Sequence, residues 1–510
     1  MSKRRNTTFL AVLLAALLAL APLAGCSSQQ AGSAGSEQDA AATEGTDATE
    51  ATTDEDTTTE ATTDEDATTE ADATEEATQA AQAAEPPATG TAYADAWKSR
   101  DGYTLKQVVA MSRHNLRAPQ EKDRETLSAA TTHDWIAWSS NGSELTVKGG
   151  VAETIMGEFF RKWLEGEQLI PQNYIPEEGE VRFYANPRQR TLATTQFFSS
   201  GMLPVANVDI EYHGDYDSRD PTFKPRFGFV SDDYVDAATD QIAALGGEEG
   251  LAGADADLQD SYDLIEQVLD YQNSSAYKAG DATDLKVGDA SYTIELDEEP
   301  GVSGSLKNAN SLSDALTLQY YEADDLADAS FGMDLTYEQW QQIAAVKNTF
   351  GDWRYDSKLV SVNCAHLLVS EIADELGKDG RRFTFLCGHD SNQSSLLHAL
   401  GVEDYDLPDT IETKTPIGGK ILFEVWENAE GEQFCNVRYV YATTEQVRNL
   451  DLLSLEEAPA SYDLDFEGLN RNDDGLFALA DVQQLLSDTA AAYDQLAVDY
   501  PEEVELAEAA

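Results

Sequence analysis

Residues 105–119 read Leu-Lys-Gln-Val-Val-Ala-Met-Ser-Arg-His-Asn-Leu-Arg-Ala-Pro, and this stretch decides the class of fold. Its first eight residues are mostly apolar, which predicts a buried strand. The strand leads directly into Arg113, His114 and Arg117, followed by Pro119. Charged residues at the end of a buried strand are typical of α/β proteins, because ligands bind there beyond the carboxyl ends of the strands.

Two further segments have the same pattern of a strand followed by polar residues. Residues 181–185 (VRFYA) predict a strand that precedes Asn-Pro-Arg-Gln-Arg-Thr at 186–191. Residues 382–387 (RFTFLC) predict another strand, and Gly-His-Asp follows it at 388–390. Because the ends of parallel strands meet at one edge of a sheet, we expect the polar groups of all three segments to lie close together.

Helical patterns separate these strands. Apolar side chains at helical spacing mark residues 148–165, and a helix is predicted at 187–198 with proline in its first turn. Residues 421–426 and 434–441 flank a Glu-Gly pair, as in a hairpin. The alternation predicts an α/β fold with a mixed, doubly wound sheet and helices on both faces. An acidic, Ala- and Leu-rich stretch within 225–345 predicts an inserted, mainly α-helical cap domain.

The chain carries 95 acidic and 33 basic side chains, a formal net charge of −62. Residues 27–92 hold 17 of the acidic residues, no Lys or Arg, and almost no large apolar side chain. Such a segment cannot bury enough surface to fold, which predicts a disordered acidic linker that acts as a stalk or as a solubilising spacer. Residues 93–510 hold 78 acidic and 30 basic residues, a net of −48. This excludes nonspecific binding to nucleic acid or anionic lipid, since both need a basic face.

The two ends of the chain are predicted to lie outside the folded domain at 93–495. Residues 1–26 combine a basic start, a short apolar run and small residues, as a secretory signal does. Leu-Ala-Gly-Cys at 23–26 resembles a bacterial lipobox, which implies cleavage before Cys26 and lipid attachment to its sulfur. We therefore expect an exported protein of the cell envelope that contacts the membrane only through its lipidated N-terminus. Residues 496–510 are expected to form an acidic tail.

The first two segments supply cations around one imidazole. Arginine side chains bind phosphate oxygens bidentately and keep their charge, which suits Arg113 and Arg117 to an anionic ligand. The same two cations disfavour the imidazolium form, so we expect His114 to be neutral and nucleophilic. Arg190 would add a third cation near a helix start, where the dipole also favours an anion.

The third segment supplies a hydrogen-bond donor, His389, and a possible proton donor, Asp390. Together the three segments resemble the signature of the histidine acid phosphatases, branch 2 of the histidine phosphatase superfamily, which is Arg-His-Gly-x-Arg-x-Pro with a distant His-Asp. Asn115 stands where most members have Gly, as in the glucose-1-phosphatase version of the signature. The likeness covers roughly residues 103–490.

The resemblance implies a reaction in which His114 attacks phosphorus and forms a phosphohistidine. Asp390 would protonate the departing alkoxide and then help to activate water, while Glu322 would border the pocket and shape the choice of substrate. No metal or other cofactor is implied. The phosphoryl oxygens would be held by Arg113, Arg117, Arg190 and His389.

Four interpretations of the function remain open at this point, and the fourth, a transferase such as a mutase, is disfavoured because the resemblance implies a cap that admits water. The first is a phosphatase acting on small phosphomonoesters, with glucose 1-phosphate as the expected substrate. The second is a phytase acting on inositol hexakisphosphate, which Glu322 and the charge of −48 disfavour. The third is a sugar-phosphate-binding lipoprotein without catalysis, which has no need of a nucleophile and an acid.

Three cysteines remain once Cys26 is set aside, namely Cys364, Cys387 and Cys435. An odd number excludes a dense disulfide framework, and one bridge of unspecified pairing is possible. Cys387 lies on a predicted core strand, where we expect a small buried hydrophobic side chain. The six histidines show no metal-ligand spacing.

Overall fold

The computed structural model describes residues 90–501. The predicted signal peptide, Cys26, nearly all of the predicted linker and residues 502–510 of the predicted tail lie outside the described residues. The described part starts with a 3-10 helix at Gly90–Trp97, which overlaps the end of the interval assigned to the linker. Trp97 is buried, and its Nε1 donates to the carbonyl of Pro459 at 3.0 Å, which anchors this segment to the domain.

The strands of the described residues are β1 Tyr103–Arg113, β2 Val181–Ala185, β3 Ser291–Thr293, β4 Gly301–Ser303, β5 Phe383–Gly388, β6 Lys420–Asn428, β7 Gln433–Tyr441, β8 Ala460–Asp463 and β9 Phe477–Ala478. The helices are α1 Arg124–Ala129, α2 Val147–Gly166, α3 Gln189–Met202, α4 Asp232–Leu245, α5 Gln259–Val268, α6 Ser275–Ala279, α7 Ser305–Glu322, α8 Leu326–Ala329, α9 Tyr337–Tyr355, α10 Lys358–Leu376, α11 Asp390–Leu400, α12 Thr444–Asn449 and α13 Leu479–Asp499.

A seven-stranded mixed sheet has the order β2-β5-β1-β6-β7-β8, with β9 paired to β7. Strands β2, β5 and β1 are parallel, whereas β6, β7 and β8 are antiparallel to their neighbours. The register pairs Arg113 with Gly388 and Ala185 with Cys387, so three parallel strands end side by side. The mixed sheet and the β6–β7 hairpin confirm the predictions from the sequence.

Helices cover both faces of this sheet, as the sequence predicts. Val108 and Ala110 on β1 are fully buried in the apolar cluster that includes α2 and α3. Val109 and Met111 point to the other face and are fully buried against α10, α11 and α13. Because successive strand residues alternate in direction, a continuous apolar run is what a strand covered on both sides requires.

The cap is mainly helical, as predicted, and has its own apolar cluster that α4, α5, α7 and α9 share. Two details differ from the prediction. Strands β3 and β4 form a small hairpin within the cap. Helix α9 continues to Tyr355, beyond residue 345, because Trp353 and Tyr355 at its end are buried.

The bounds of one predicted helix and of the predicted tail differ from the structure. Helix α3 begins at Gln189 rather than 187, since Arg188 before it has extended backbone angles, and it continues past 198 to Met202. Helix α13 runs to Asp499, so the fold extends into the interval predicted as an acidic tail. Leu496 in that last stretch is only 5% exposed, and its burial holds the helix end on the domain.

The three described cysteines, Cys364, Cys387 and Cys435, are free and buried. Cys387 lies within an apolar cluster on β5, as expected for a small hydrophobic side chain. The helices between residues 90 and 501 include none whose length and apolar character would suit it to crossing a membrane.

Candidate active site

The ends of β1, β2 and β5 bring the three polar segments together. The backbone N–H of His114 donates to the carbonyl of Gly388 at 3.0 Å, and that of Asn186 donates to the carbonyl of Cys387 at 2.9 Å. The start of β6 completes this edge, since the N–H of Gly418 donates to the carbonyl of His114 at 3.2 Å. The segments that are far apart in sequence are therefore joined by backbone hydrogen bonds.

A cavity of about 320 Å³ opens above this edge, between the sheet and the cap. Its volume is in the range of small-molecule binding sites. Five of the seven predicted site residues line it, whereas Arg113 and Glu322 do not. The five are His114, Arg117, Arg190, His389 and Asp390.

The imidazole of His114 has a defined tautomer. Its Nδ1 lies 2.8 Å from the carbonyl oxygen of Asn115, which can only accept, so Nδ1 carries the hydrogen and Nε2 has a free lone pair. Burial lowers the pKa of His114 well below its usual value, and Arg190 and His389 lower it further. The ring is therefore neutral, as expected from the sequence.

Asn115 is itself held by a buried network. Its Nδ2 donates to Glu153 at 2.7 Å, and Glu153 pairs with Lys420 at 2.9 Å, with both charged side chains fully buried. Gly418 packs against the same amide, where a Cβ would lie 2.5 Å from Nδ2, and its φ of 68° also favours glycine. Through Asn115, this network fixes the carbonyl that orients His114.

Arg117 and Arg190 present guanidinium groups to the cavity in different ways. Nη2 of Arg117 pairs with Asp314 at 2.8 Å. Arg190, in the first turn of α3, forms no ion pair with a carboxylate of residues 90–501. Burial, with the charge of Arg117, lowers the pKa of Arg190 to about 9. A buried cation without a counter-ion is stabilised by an anionic ligand, so an anion beside Arg190 would be favoured.

His389 lies beside Arg190 and opposite His114. Asn186 accepts the N–H of Asp220 through its Oδ1 at 3.0 Å, which turns its Nδ2 toward Nε2 of His389 at 2.7 Å. Nε2 therefore accepts, and the hydrogen of the neutral ring lies on Nδ1, 3.4 Å from Nη2 of Arg190. Two donors this close favour a shared anionic oxygen. Burial, with the nearby Arg190, lowers the pKa of His389 well below its usual value.

Asp390 is the first residue of α11, and its carboxylate lies among cations. Oδ2 is 3.2 Å from Nζ of Lys347 and 3.6 Å from Nη2 of Arg113. Burial alone would raise the pKa of Asp390, but Lys347 and Arg113 outweigh it and hold this pKa well below its usual value. The carboxyl group is therefore ionised in the site without ligand.

Arg113 lies beneath the cavity rather than at its wall. Its Nη1 donates to Glu412 at 2.8 Å and also to the carbonyl of Thr415, and the side chain is 1% exposed. These bonds occupy Nη1, while Nη2 faces Asp390 at 3.6 Å and Nε has no hydrogen-bond partner within residues 90–501. Arg113 is thus placed to act on the site through its charge.

The structure does not bring Glu322 to the cavity. It is the last residue of α7, and its Oε1 accepts from Oγ of Ser139 at 2.6 Å. The cavity is lined instead by the first half of α7, from Lys307 to Asp314. Glu322 therefore does not border the pocket as the resemblance led us to expect.

Several charged cavity residues were not identified from the sequence. Lys347 on α9 and Asp314 on α7 come from the cap, where the helical pattern carries no signal of chemistry. Glu299 is paired with both Arg219 and Arg354 at the cavity wall. Burial would raise the pKa of Glu299, but Arg354 and Arg219 lower it.

Between residues 90 and 501, no group of three or more His, Cys, Asp or Glu side chains is arranged to hold a metal ion. The charged groups of the site pair with one another instead. The cavity combines a neutral nucleophile, a carboxyl group, and cations that are unpaired or shared between partners. This combination suits the transfer of an anionic group such as phosphoryl.

Comparison with known proteins agrees with this chemistry. The glucose-1-phosphatase of Salmonella typhimurium is 38% identical over 372 residues, which cover 72% of this chain and 88% of that protein. The glucose-1-phosphatase of Providencia rettgeri is 34% identical over 390 residues, which cover 75% and 91%. The structure of Hafnia alvei phytase in complex with tartrate has the same fold, with a TM-score of 0.70 and 24% identity over 77% of this chain and 98% of that one.

Residues 104–442 match the family described as the histidine phosphatase superfamily, branch 2. This interval contains all three strand ends and both halves of the cavity wall. The chain therefore belongs to branch 2 of the histidine phosphatase superfamily, and it is a hydrolase of phosphomonoesters.

Proposed function

We propose that this protein is an exported, lipid-anchored acid phosphatase that hydrolyses sugar phosphates, glucose 1-phosphate above all, through a phosphohistidine intermediate. One observation carries the proposal. His114 is a buried, neutral imidazole with its Nδ1 hydrogen bonded to a backbone carbonyl, in the wall of a cavity that Arg117, Arg190 and Asp390 also line.

In the first step, Nε2 of His114 attacks phosphorus and the bond from phosphorus to the ester oxygen breaks. Arg117, Arg190 and His389 donate to the phosphoryl oxygens, whose charge they stabilise as the group is transferred. Arg113 supports them from beneath through its charge. Asp390 gives its proton to the departing sugar oxygen, since an alkoxide is a poor leaving group.

In the second step, a water molecule attacks the phosphohistidine. Asp390, now a carboxylate at the start of α11, accepts a proton from that water, and His114 leaves as a neutral imidazole. The low pKa of His114 favours this step, because a weakly basic imidazole is a better leaving group.

The dimensions of the cavity suit one sugar phosphate. A volume of about 320 Å³ holds a phosphate and one pyranose ring. Amide and hydroxyl groups of Asn310, Ser311 and Asn348 line the wall formed by the cap and can bond to sugar hydroxyls. The likeness to two glucose-1-phosphatases supports this choice of substrate.

Phytate is the second candidate, and a specific observation favours it. Lys122 and Lys307 line the same cavity, and neither forms an ion pair within residues 90–501. Two unpaired ammonium groups would suit a second phosphate. Glu322 does not line the cavity, so its charge no longer argues against a polyphosphate substrate. The strongly acidic surface still repels such a substrate at long range.

Export and anchoring complete the proposal. The basic and apolar leader and the Leu-Ala-Gly-Cys sequence at 23–26 support cleavage before Cys26 and lipid attachment there. The linker would then hold the catalytic domain outside the membrane in the cell envelope.

The proposal is tested by phosphate release from glucose 1-phosphate, phytate and p-nitrophenyl phosphate between about pH 3 and pH 8. We expect the highest kcat/KM for glucose 1-phosphate, an optimum on the acid side, and no turnover by His114→Ala with an unchanged circular dichroism spectrum. A higher kcat/KM for phytate would favour the second candidate. Binding of glucose 1-phosphate without release from any ester would favour the non-catalytic lipoprotein.

A further inference from the structure

In the wall of the cavity and beneath it, three cations and three carboxylates form one continuous cluster. Lys347 of the cap is at its centre, since its Nζ lies 3.0 Å from Glu412, 3.2 Å from Asp390 and 3.5 Å from Asp314. The side chain of Lys347 is 11% exposed, and those of Glu412 and Asp314 are 1% and 15% exposed. We call this set the charge cluster, and its members are Arg113, Arg117, Lys347, Asp314, Asp390 and Glu412.

The charge cluster is balanced when the cavity holds no ligand. Glu412 is bonded to Arg113 and Lys347, and Asp314 to Arg117 and Lys347. Burial would raise the pKa of both carboxyl groups, but their cations lower it, so both stay ionised. A phosphate dianion beside Arg117 and Arg190 brings two negative charges to the balanced cluster and to the one unpaired cation, Arg190, which leaves one negative charge in excess.

The extra charge is most easily neutralised at Asp390. Its side chain is 34% exposed at the cavity, whereas Glu412 and Asp314 are more deeply buried and each has a bond to an arginine. Asp390 has only the 3.2 Å contact with Lys347 and a looser one of 3.6 Å with Arg113. The balance at Asp390 therefore depends on Lys347 more than on any other cation.

We propose that Lys347 is a positioning residue that keeps Asp390 ionised in the free enzyme and lets it take up one proton when a phosphate dianion enters the cavity. This inference rests on the proposed function. Lys347 acts through Asp390 and does not itself touch the ester oxygen. Binding of the phosphate and protonation of Asp390 are therefore coupled.

Asp390 takes one proton from bulk water as the dianion binds. The lone pair on Nε2 of His114 forms the bond to phosphorus, the ester bond breaks with its electron pair on the sugar oxygen, and that oxygen takes the proton of Asp390. The carboxylate of Asp390 then returns to its contact with Lys347.

The charged groups that face Asp390 come from every element around it. Arg113 and His114 approach from β1 and the residue after it, and His389 precedes it at the start of α11. Lys347 approaches from α9 and connects it with Asp314 of α7 and with Glu412 before β6. Arg190 of α3 adds a further positive charge that interacts with Asp390. Both imidazoles have a pKa lowered by burial and neighbouring cations, so Lys347 and Arg113 are the permanent cations paired with Asp390.

The test is the pH dependence of phosphoenzyme formation from glucose 1-phosphate, measured by rapid quench on the full-length protein. This rate falls as pH rises, because Asp390 loses its proton. We call this descending part of the pH–rate profile the limb. In Lys347→Met we expect that limb to move up by about one to three pH units, because an opposite charge at this distance has been removed. Lys347→Arg keeps the charge and should leave the limb within about half a unit of its position.

Lys414→Met is the matched control. Lys414 lines the same cavity, but its Nζ pairs with Asp404 at 2.8 Å and Asp406 at 3.6 Å rather than with the charge cluster. Its removal should not move the limb. A limb that stays in place in Lys347→Met, or that moves equally in both variants, would overturn the proposal. A wild-type protein that forms no phosphoenzyme would instead contradict the proposed function.

Proton uptake supplies a second measurement if Lys347→Met does not fold. Sulfate is the probe, since it remains a dianion at each pH used. Titration calorimetry in two buffers of different ionisation enthalpy gives the number of protons bound with sulfate. At about pH 5 to 6 we expect the wild type to take up about one proton more than Asp390→Asn. Equal uptake by the two proteins would overturn the proposal.

Discussion

At the scale of single residues, the protonation state that Asp390 needs for catalysis differs from the one that its neighbours favour. It must be protonated to act as an acid, but the cations beside it hold its pKa well below the usual value. Protonation is favoured by acid solution and by the negative charge of a bound phosphate. An acid-leaning optimum follows, since activity falls as rising pH removes the proton.

Replacement of Asp390 by Asn should affect esters according to their leaving groups. Asn keeps the shape of the side chain but cannot supply a proton to the departing oxygen. We expect kcat/KM for glucose 1-phosphate to fall by a factor of about 10² to 10⁴. The loss should be much smaller for p-nitrophenyl phosphate, because p-nitrophenolate departs without a proton. Equal losses on the two substrates would contradict the assignment of Asp390 as proton donor.

At the scale of secondary-structure elements, helices α2 and α3 approach each other at two glycines. A Cβ at Gly157 would lie 2.2 Å from the carbonyl oxygen of Phe198, and one at Gly201 would lie 2.2 Å from that of Thr154. Because α3 carries Arg190 in its first turn, this contact positions a cation of the cavity.

Gly157→Ala should therefore destabilise the fold and weaken binding. The added methyl group pushes α3 away from α2, and we expect the free energy of unfolding in urea to fall by about 1–3 kcal/mol. The KM for glucose 1-phosphate should rise as Arg190 moves. Gly166→Ala on the same helix is the control, since its Cβ meets only Leu455 at 4.0 Å. A similar loss of stability in both variants would show that the close helix contact is not the cause.

Helices α11 and α9 are joined by a histidine with an unusual pKa. Nδ1 of His398 lies 3.2 Å from Asp356 and Nε2 lies 3.5 Å from Asp352, and the side chain is 18% exposed. Burial would lower the pKa of His398, but hydrogen bonds to Asp352 and Asp356 raise it to about 9, from 6.5. The stabilisation is therefore complete below about pH 6.5 and is lost as pH rises through about 9.

The variant His398→Gln should reveal this dependence. At pH 6 we expect the free energy of unfolding to be lower than that of the wild type by about 2–4 kcal/mol, and at about pH 10 the difference should largely vanish. His366→Gln is the matched control, because burial lowers the pKa of His366 and it gains no stability from protonation. A difference for His398→Gln that does not change with pH would contradict the ionic contact.

At the scale of the whole molecule, the acidic residues are spread over the chain, whereas several basic residues are gathered in the cavity. The linker at 27–92 is uniformly acidic, and residues 93–510 carry a net of −48. Within that acidic domain, the cavity gathers arginine, lysine and histidine side chains. Coulomb interactions are screened beyond about 10 Å at 0.1 M salt, so the cavity cations act on a bound phosphate and the surface acts mainly on approaching anions.

At the scale of the whole molecule, the proposed lipid attachment at Cys26 predicts how the protein distributes between a detergent phase and an aqueous phase. Wild-type protein should enter the detergent phase of Triton X-114 and incorporate labelled fatty acid, because a lipid on Cys26 adds apolar surface. Cys26→Ser should remain in the aqueous phase with an unchanged kcat/KM, since the site lies within the domain that follows the linker. A Cys26→Ser protein that still enters the detergent phase would contradict lipid attachment at this residue.

The sequence alone determined the sheet class and most of the residues that line the candidate site. Five of these residues follow a strand or lie at the start of a helix, in short segments whose pattern is clear from the sequence: His114, Arg117, Arg190, His389 and Asp390. Because parallel strands end at the same edge, residues that follow those strands meet even when they are 200 or more positions apart. A continuous apolar run likewise indicates a strand covered on both faces.

Only the tertiary structure decided which side chains of the cap and of the loop before β6 complete the site. Asp314 and Glu322 are both acidic residues of α7, but they are separated by about 12 Å along the helix, and the docking of that helix alone places Asp314 at the cavity. The same holds for Lys347, which lies 3.2 Å from Asp390, and for Glu412, which pairs with Lys347 and Arg113. Periodicity identifies a helix, but the position at which it contacts another element is set by packing of the whole core.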